Sequence, residues 1–316
     1  MPAATASVAV QPARRPLTER VPPHAYLVTS AIFHYLGPAF AVLLFARVSV
    51  LGVAWLRIAS AALVFAIWRK PWRTFARLNA DSRSVLIWWG VVLAVMNACF
   101  YEAIDKLPLG TVAAIEFLPV ILLAAVGART ARNATALILA VAGVYLLTDV
   151  QIAGEPLGLA FAAANAVLFA VYIALAHRVA QDEAITRIDG LAAAMLVSAV
   201  AVTPLGGWAV VPALSDPVAL LAGIGVGICS SVVPYVTDQL AMARVPRATY
   251  ALMVSLLPAT ATVIGIVVLG QVPSWLEVTG VALVVAGVGL HREPATPAEP
   301  TYRAVSPSRP RVGATG

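Results

Sequence analysis

The 316-residue chain is 61% hydrophobic and only 11% charged, with a mean hydropathy of +0.89. Soluble domains carry roughly 25% charged residues, so an ordinary water-facing surface is excluded. A net charge of +6 would suit nucleic acid, but the basic residues lie in short clusters between apolar runs, which argues for membrane topology and against a nucleic-acid partner.

Residues 1–23 are rich in Ala, Pro and Arg and hold no apolar segment ahead of Arg14, Arg15 and Arg20. They read as a disordered cytoplasmic tail rather than a cleaved signal peptide. Apolar runs of spanning length follow at 24–46, 49–68, 84–104, 110–128, 133–149, 156–176, 188–208, 218–243, 248–269 and 273–291. They are too long and continuous for barrel strands, so the expected fold is an all-α integral membrane bundle of ten transmembrane helices. Residues 292–316, with Pro294, Pro297, Pro300, Pro307 and Pro310, form a second expected cytoplasmic tail.

Cytoplasmic loops retain Lys and Arg. With the N-terminus inside, eighteen of the 21 basic residues fall on the inner side, leaving Arg47 and Lys106 outside and Arg57 within a span. Both termini are therefore expected in the cytoplasm, with the chain in the cell (inner) membrane. The sequence also echoes itself. Leu107-Pro108 resembles Val245-Pro246, Pro119 and Pro258 lie about eleven residues further on, and Ala142-Gly143-Val144 matches Ala286-Gly287-Val288. Two repeats are expected, 24–149 and 155–291. Each has five spans, an odd number, so the second enters the membrane inverted.

Ionisable side chains inside spans are costly in lipid and should face the bundle interior. Arg57 lies midway along the second span and reads either as half of a structural ion pair or as a clamp for a substrate carboxylate. Glu116 precedes Pro119 by three residues. A proline opens the helix locally, so this carboxylate is a candidate to hold an ammonium group or exchange a proton. Asp238, one turn after Pro234 and Tyr235, has the same capability nearer the cytoplasm. Glu102 reads as solvated near the outer surface, and His34 as a packing histidine before a proton relay. Asn97, Tyr101, Asn165, Tyr172, Ser230 and Ser231 are polar interior candidates that equally serve as glue between helices. Cys99 and Cys229 lie in separate apolar runs and read as small buried hydrophobes, so neither a disulfide nor a metal site is expected.

The string Met96-Asn97 with Phe100-Tyr101, then Leu107-Pro108-Leu109-Gly110 and Ala114-Ile115-Glu116-Phe117, resembles the threonine/homoserine exporter branch of the EamA-type drug/metabolite transporter superfamily. Leu56-Arg57, Lys70-Pro71-Trp72-Arg73, Tyr172-Ile173 and Val233-Pro234-Tyr235 with Asp238 extend the resemblance over residues 24–291. It implies ten helices in two inverted halves and export of amino acids or related small molecules, in exchange for protons. The chain departs from the pattern at Leu257 and Gln271, where the family often has acidic residues. The expected pathway for substrate and protons is Glu116, Arg57, Asp238, Asn97, Tyr101, Tyr172 and Tyr235, with helix breaks at Pro119, Pro258 and Pro234.

The expected partners are a small-molecule substrate, protons and membrane lipids, with no cofactor and no metal. No G-x-x-x-x-G-K-[ST], H-E-x-x-H or G-x-S-x-G occurs, which argues against an ATP-driven pump and an intramembrane enzyme. A channel, and an exporter of drugs or other polar metabolites, are the remaining alternatives.

Overall fold

The computed structural model describes residues 22–127, 130–152, 155–182, 185–242 and 256–290; these residues are almost entirely helical and include no strand. The helices are α1 (Pro23–Leu44), α2 (Val50–Arg69), α3 (Pro71–Arg77), α4 (Ala80–Lys106), α5 (Leu109–Gly127), α6 (Ala131–Ile152) and α7 (Pro156–Ala180). They are followed by α8 (Arg187–Val202), α9 (Pro217–Gly227), α10 (Val233–Met242), α11 (Leu257–Leu269) and α12 (Trp275–Leu290). Six helical stretches are long and apolar enough to cross a membrane: Ala25–Leu44, Val50–Arg69, Ala80–Lys106, Pro156–Val179, Arg187–Ser215 and Pro217–Asp238. Four further apolar helices among the described residues are shorter.

Helix starts follow from local chemistry. Pro23, Pro71, Pro156 and Pro217 stand in the first turn, where a missing amide hydrogen costs nothing. Ser49, Asn79, Thr186 and Asp216 each accept a first-turn backbone N–H with their side chains. Before α12, Ser274 N donates to Glu277 Oε2 at 2.7 Å and Glu277 N donates back to Ser274 Oγ at 3.3 Å, a reciprocal cap. At the α2–α3 corner Lys70 adopts φ 53°, and the short α3 with exposed Trp72 turns off the end of α2. That corner was not legible from hydropathy.

Two expected spans depart from a plain helix. The seventh continues beyond residue 208, through a π turn at Thr203–Gly207 and a 3-10 segment at Trp208–Ser215. Pro204 and Pro212 cannot donate, so regular α bonding lapses there. The eighth is split by a π turn at Ile228–Val232. The α11 helix is described from Leu257 onward; the earlier part of the expected 248–269 span, Val245-Pro246, Arg244, Arg247 and both terminal tails lie outside the described residues.

In lipid the apolar effect does not draw helices together, so close packing and polar contacts must. The α6–α12 pair shows how. A Cβ on Gly143 would stand 2.6 Å from the carbonyl oxygen of Gly280, and one on Gly287 would stand 2.7 Å from that of Ala136, so the two backbones are nearly in contact. Elsewhere α4 packs against α7 and α8, α1 against α10 and α11, α2 against α8 and α9, and α5 against α6, α7 and α11.

One buried cluster gathers Tyr35, Val53, Leu56, Tyr101, Leu109 and Val112; a second gathers Phe65, Leu86, Trp89, Leu93 and Met195. The outside is apolar too, with Ile67, Trp88, Ile138, Val167, Leu221 and Val267 exposed. Exposed apolar side chains in such number suit a lipid surround. The chain is a multi-pass integral membrane protein whose described residues are almost entirely helical.

Candidate functional site

Arg57 is 6% exposed and Glu116 7%, so the bundle interior holds two charged side chains of opposite sign. Pro234 explains how the cation is held. Proline lacks an amide hydrogen, so the Ser230 carbonyl one turn earlier has no helical donor. Arg57 takes its place: Nη2 donates to Ser230 O at 3.3 Å and Nε donates to Ser231 Oγ at 3.1 Å. The guanidinium carbon also lies 5.4 Å from the Tyr101 ring centroid, over its face. The helices are tight here as well. A Cβ on Gly227 would meet Ser60 Oγ and stand 2.5 Å from the Arg57 carbonyl, while one on Gly37 would meet Ser230.

Glu116 sits on α5 one turn ahead of Pro119. Its near neighbours are Asn165 of α7 and, at longer electrostatic range, Arg57 and Tyr35. Arg57 and Glu116 are not within ion-pair distance; the pairs among the described residues are Arg47–Asp216, Arg69–Asp189 and Lys106–Asp105. Although Asn165 is close to Glu116, neither of its buried amide atoms is in hydrogen-bonding geometry. Tyr35 Oη is likewise buried without a hydrogen-bond partner, and Tyr101 Oη and Ser230 Oγ lie near each other without a hydrogen bond of good geometry. Buried polar atoms are nearly always satisfied, so several orphans around two charges that are not paired with each other make this the candidate site.

The expected pathway residues divide into three groups. Arg57, Tyr101, Glu116 and Tyr235 share one electrostatic neighbourhood, which His34 also joins through Arg57. Asp238 is half-buried on the edge of it, beside Ser30, whose hydroxyl donates to Pro234 O at 3.3 Å. Asn97 is buried one turn from Tyr101, and its Nδ2 donates to Leu93 O at 2.8 Å within the same helix. Tyr172 is stacked on Phe169 at 6.2 Å and tilted against Trp89 at 5.6 Å; Phe169 in turn meets Phe117 edge-on. This aromatic cluster abuts the charged one because Asn165, Phe169 and Tyr172 recur at helical spacing along one side of α7.

Of the helix breaks, Pro119 lies inside α5 and Pro258 opens α11. A further proline, Pro38, lies inside α1 and frees the carbonyl of His34. Glu102 is partly exposed near the end of α4. Gln271, at one of the departures from the acidic pattern, accepts a hydrogen bond from Leu109 N at 3.1 Å through Oε1 and ties the end of α11 to the start of α5. Tyr35 is the site residue that sequence reasoning did not single out. A tyrosine in an apolar run carries no signal of its own, and only the buried, unpartnered hydroxyl distinguishes it.

Residues 156–291 match the EamA-like transporter family. The threonine/homoserine exporter RhtA of Salmonella typhimurium is 29% identical over 270 residues, covering 82% of this chain and 88% of that protein. The exporter of the same name from Escherichia coli K12 is 29% identical over 253 residues, 79% of this chain and 84% of its own length. A solved crystal structure aligns over 84% of this chain and 96% of its own with a TM-score of 0.52 at 22% identity, a likeness of fold alone. The chain thus carries an EamA-like transporter match over most of its second half and is similar to threonine/homoserine exporters along most of its length.

Proposed function

We propose that the chain exports a zwitterionic amino acid of the threonine or homoserine kind, with Arg57 receiving the carboxylate and Glu116 the ammonium. The carrying observation is that both charges are buried in one neighbourhood yet not paired with each other. A buried charge without a counter-charge is expensive. A zwitterion between the two satisfies both at once, and its carboxylate matches the guanidinium fork. Protons are the proposed coupling ion: between cargo molecules a proton on Glu116 removes the unpaired anion, so cargo and proton compete for one carboxylate.

The ten-helix count and the inverted repeat belong to the same reading. Helices α4 with α7 and α10 with α1 occupy equivalent places if the first five spans are exchanged for the last five. The pairs α5 with α7 and α11 with α1 correspond in the same way, and α6 with α12 maps onto itself. Such exchange symmetry supports alternating access by rocking of the halves about a central site, with Pro38, Pro119 and Pro234 easing local bending. With both termini cytoplasmic, Asp238 and the aromatic cluster of Trp89, Phe169 and Tyr172 lie toward the cytoplasm and form the entry side.

The test is efflux from preloaded proteoliposomes, screening amino acids with and without a proton gradient, with Glu116→Gln as the control. Gradient-dependent release of threonine or homoserine that is lost in the variant is the expected result. Equal efflux by parent and variant at every pH overturns the role of Glu116, and release of drugs or other metabolites without any amino acid overturns the cargo.

A further inference from the structure

Once a zwitterion's carboxylate is placed on Arg57 and its ammonium on Glu116, some polar atoms at the site are still unused. Asn165 is 1% exposed, lies close enough to the Glu116 carboxylate to act on it, and has both its Oδ1 and its Nδ2 buried without a hydrogen bond of good geometry. Tyr35, from α1, is fully buried, lies within electrostatic reach of the same carboxylate, and has an unpartnered hydroxyl. These groups come from different helices, so they are not a by-product of one helix's backbone bonding.

The chemistry of the orphans is specific. An asparagine amide offers donors on one atom and an acceptor on the other, and a phenol offers one of each. Another carboxylate would leave the acceptor unsatisfied, and another ammonium would leave the amide donors unsatisfied. A hydroxyl both donates and accepts, so it can bond to both sides of the amide or to the amide and the phenol together. An alkyl side chain would leave every one of these atoms buried and unpaired, the more expensive outcome.

We propose that Asn165 and Tyr35 form a hydroxyl-reading subsite that selects amino acids with a side-chain alcohol over their alkyl isosteres. The proposal rests on the amino-acid reading above and adds residues and a selection rule to it. Both are positioning and specificity groups: they act on the cargo's side chain, away from the charges that Arg57 and Glu116 neutralise. Sites built to hydrogen-bond a hydroxyl discriminate strongly against analogues lacking it, whereas apolar pockets discriminate weakly.

The experiment uses the full chain in proteoliposomes and two isosteric pairs, threonine against valine and homoserine against norvaline, as competitors of labelled threonine efflux. The parent is expected to prefer the alcohol in each pair by about tenfold or more. Asn165→Leu, close in size, is expected to bring that ratio down to near one. Tyr35→Phe removes a single oxygen while keeping the ring packed, and is expected to reduce the ratio by a smaller factor of about three to ten. A general packing defect lowers both members of a pair together and leaves the ratio alone, so an unchanged ratio in Tyr35→Phe and Asn165→Leu overturns the assignment. If the parent itself handles alcohol and alkyl competitors equally, the subsite is overturned while the amino-acid reading survives. If no amino acid competes or moves, the amino-acid reading falls and the subsite falls with it.

Discussion

The α6–α12 seam and the space around Arg57 and Glu116 are both built by close helix approach, yet they are opposites. At the seam, Gly143 and Gly280 face each other backbone to backbone, among the buried Leu147, Val281 and Val284. In the centre, glycines again bring helices together, but those helices carry two charges not paired with each other and several polar atoms without well-formed hydrogen bonds. The contrast separates frame from function. Dry contact lowers the energy of one arrangement of helices, whereas polar groups left wanting make the energy depend on what is bound.

That contrast can be broken first at the seam. A Cβ on Gly280 stands 2.7 Å from Leu147 Cγ and 2.9 Å from the Gly143 carbonyl, so Gly280→Leu drives a branched side chain into a neighbouring backbone that cannot step aside. The expected cost is about 3 kcal/mol or more, seen as a large fall in the melting temperature of purified protein and loss of monodisperse material. An unchanged melting temperature would mean that the seam does not set the helix arrangement.

In the centre the same comparison predicts a different outcome. Glu116→Gln keeps the shape and removes a buried charge, so efflux is expected to fall by roughly ten- to a hundredfold, the worth of a charged hydrogen bond. Melting temperature should hold, because the amide matches the shape and neutrality of the protonated acid that the empty site carries. Joint loss of stability and transport would instead identify Glu116 as part of the frame.

The smallest effect is expected at the surface. The Arg47–Asp216 pair is 3.1 Å long, with Arg47 exposed and Asp216 partly exposed to solvent. Asp216 is held below the usual aspartate range mainly by the Ala219 backbone N–H and then by Arg47. A depressed value means the contribution is present at neutral pH and is lost as pH falls through the lowered folded-state value. Asp216→Asn should therefore melt marginally lower than the parent at neutral pH and low salt, with the difference vanishing in acid and in high salt. A large, salt-insensitive difference would contradict this.

Much of the frame was legible because bilayers impose length and polarity on every crossing. The charges at Arg57 and Glu116 were legible for the same reason: a charge inside an apolar run has few places to go. What surrounds them was not. The π turn at Ile228–Val232 carries no hydrophobic signal, and Pro234 alone does not say which side chain will take the carbonyl it frees. Tyr35 and Asn165 were inseparable from packing residues, since orphaned atoms exist only once helices distant in sequence have met. Tyr172 was legible as polar and interior, but its stacking on Phe169 was not.

The most direct test of a zwitterion held between Arg57 and Glu116 is competition by cargo analogues in parent and Arg57→Met proteoliposomes. Threonine and threoninol, which replaces the carboxylate with an alcohol, are compared as inhibitors of labelled efflux. The parent should favour threonine by about tenfold or more, and Arg57→Met should bind both comparably, because the group that distinguished them is gone. If Arg57→Met still favours threonine as strongly as the parent does, Arg57 does not receive the carboxylate and the central assignment is wrong.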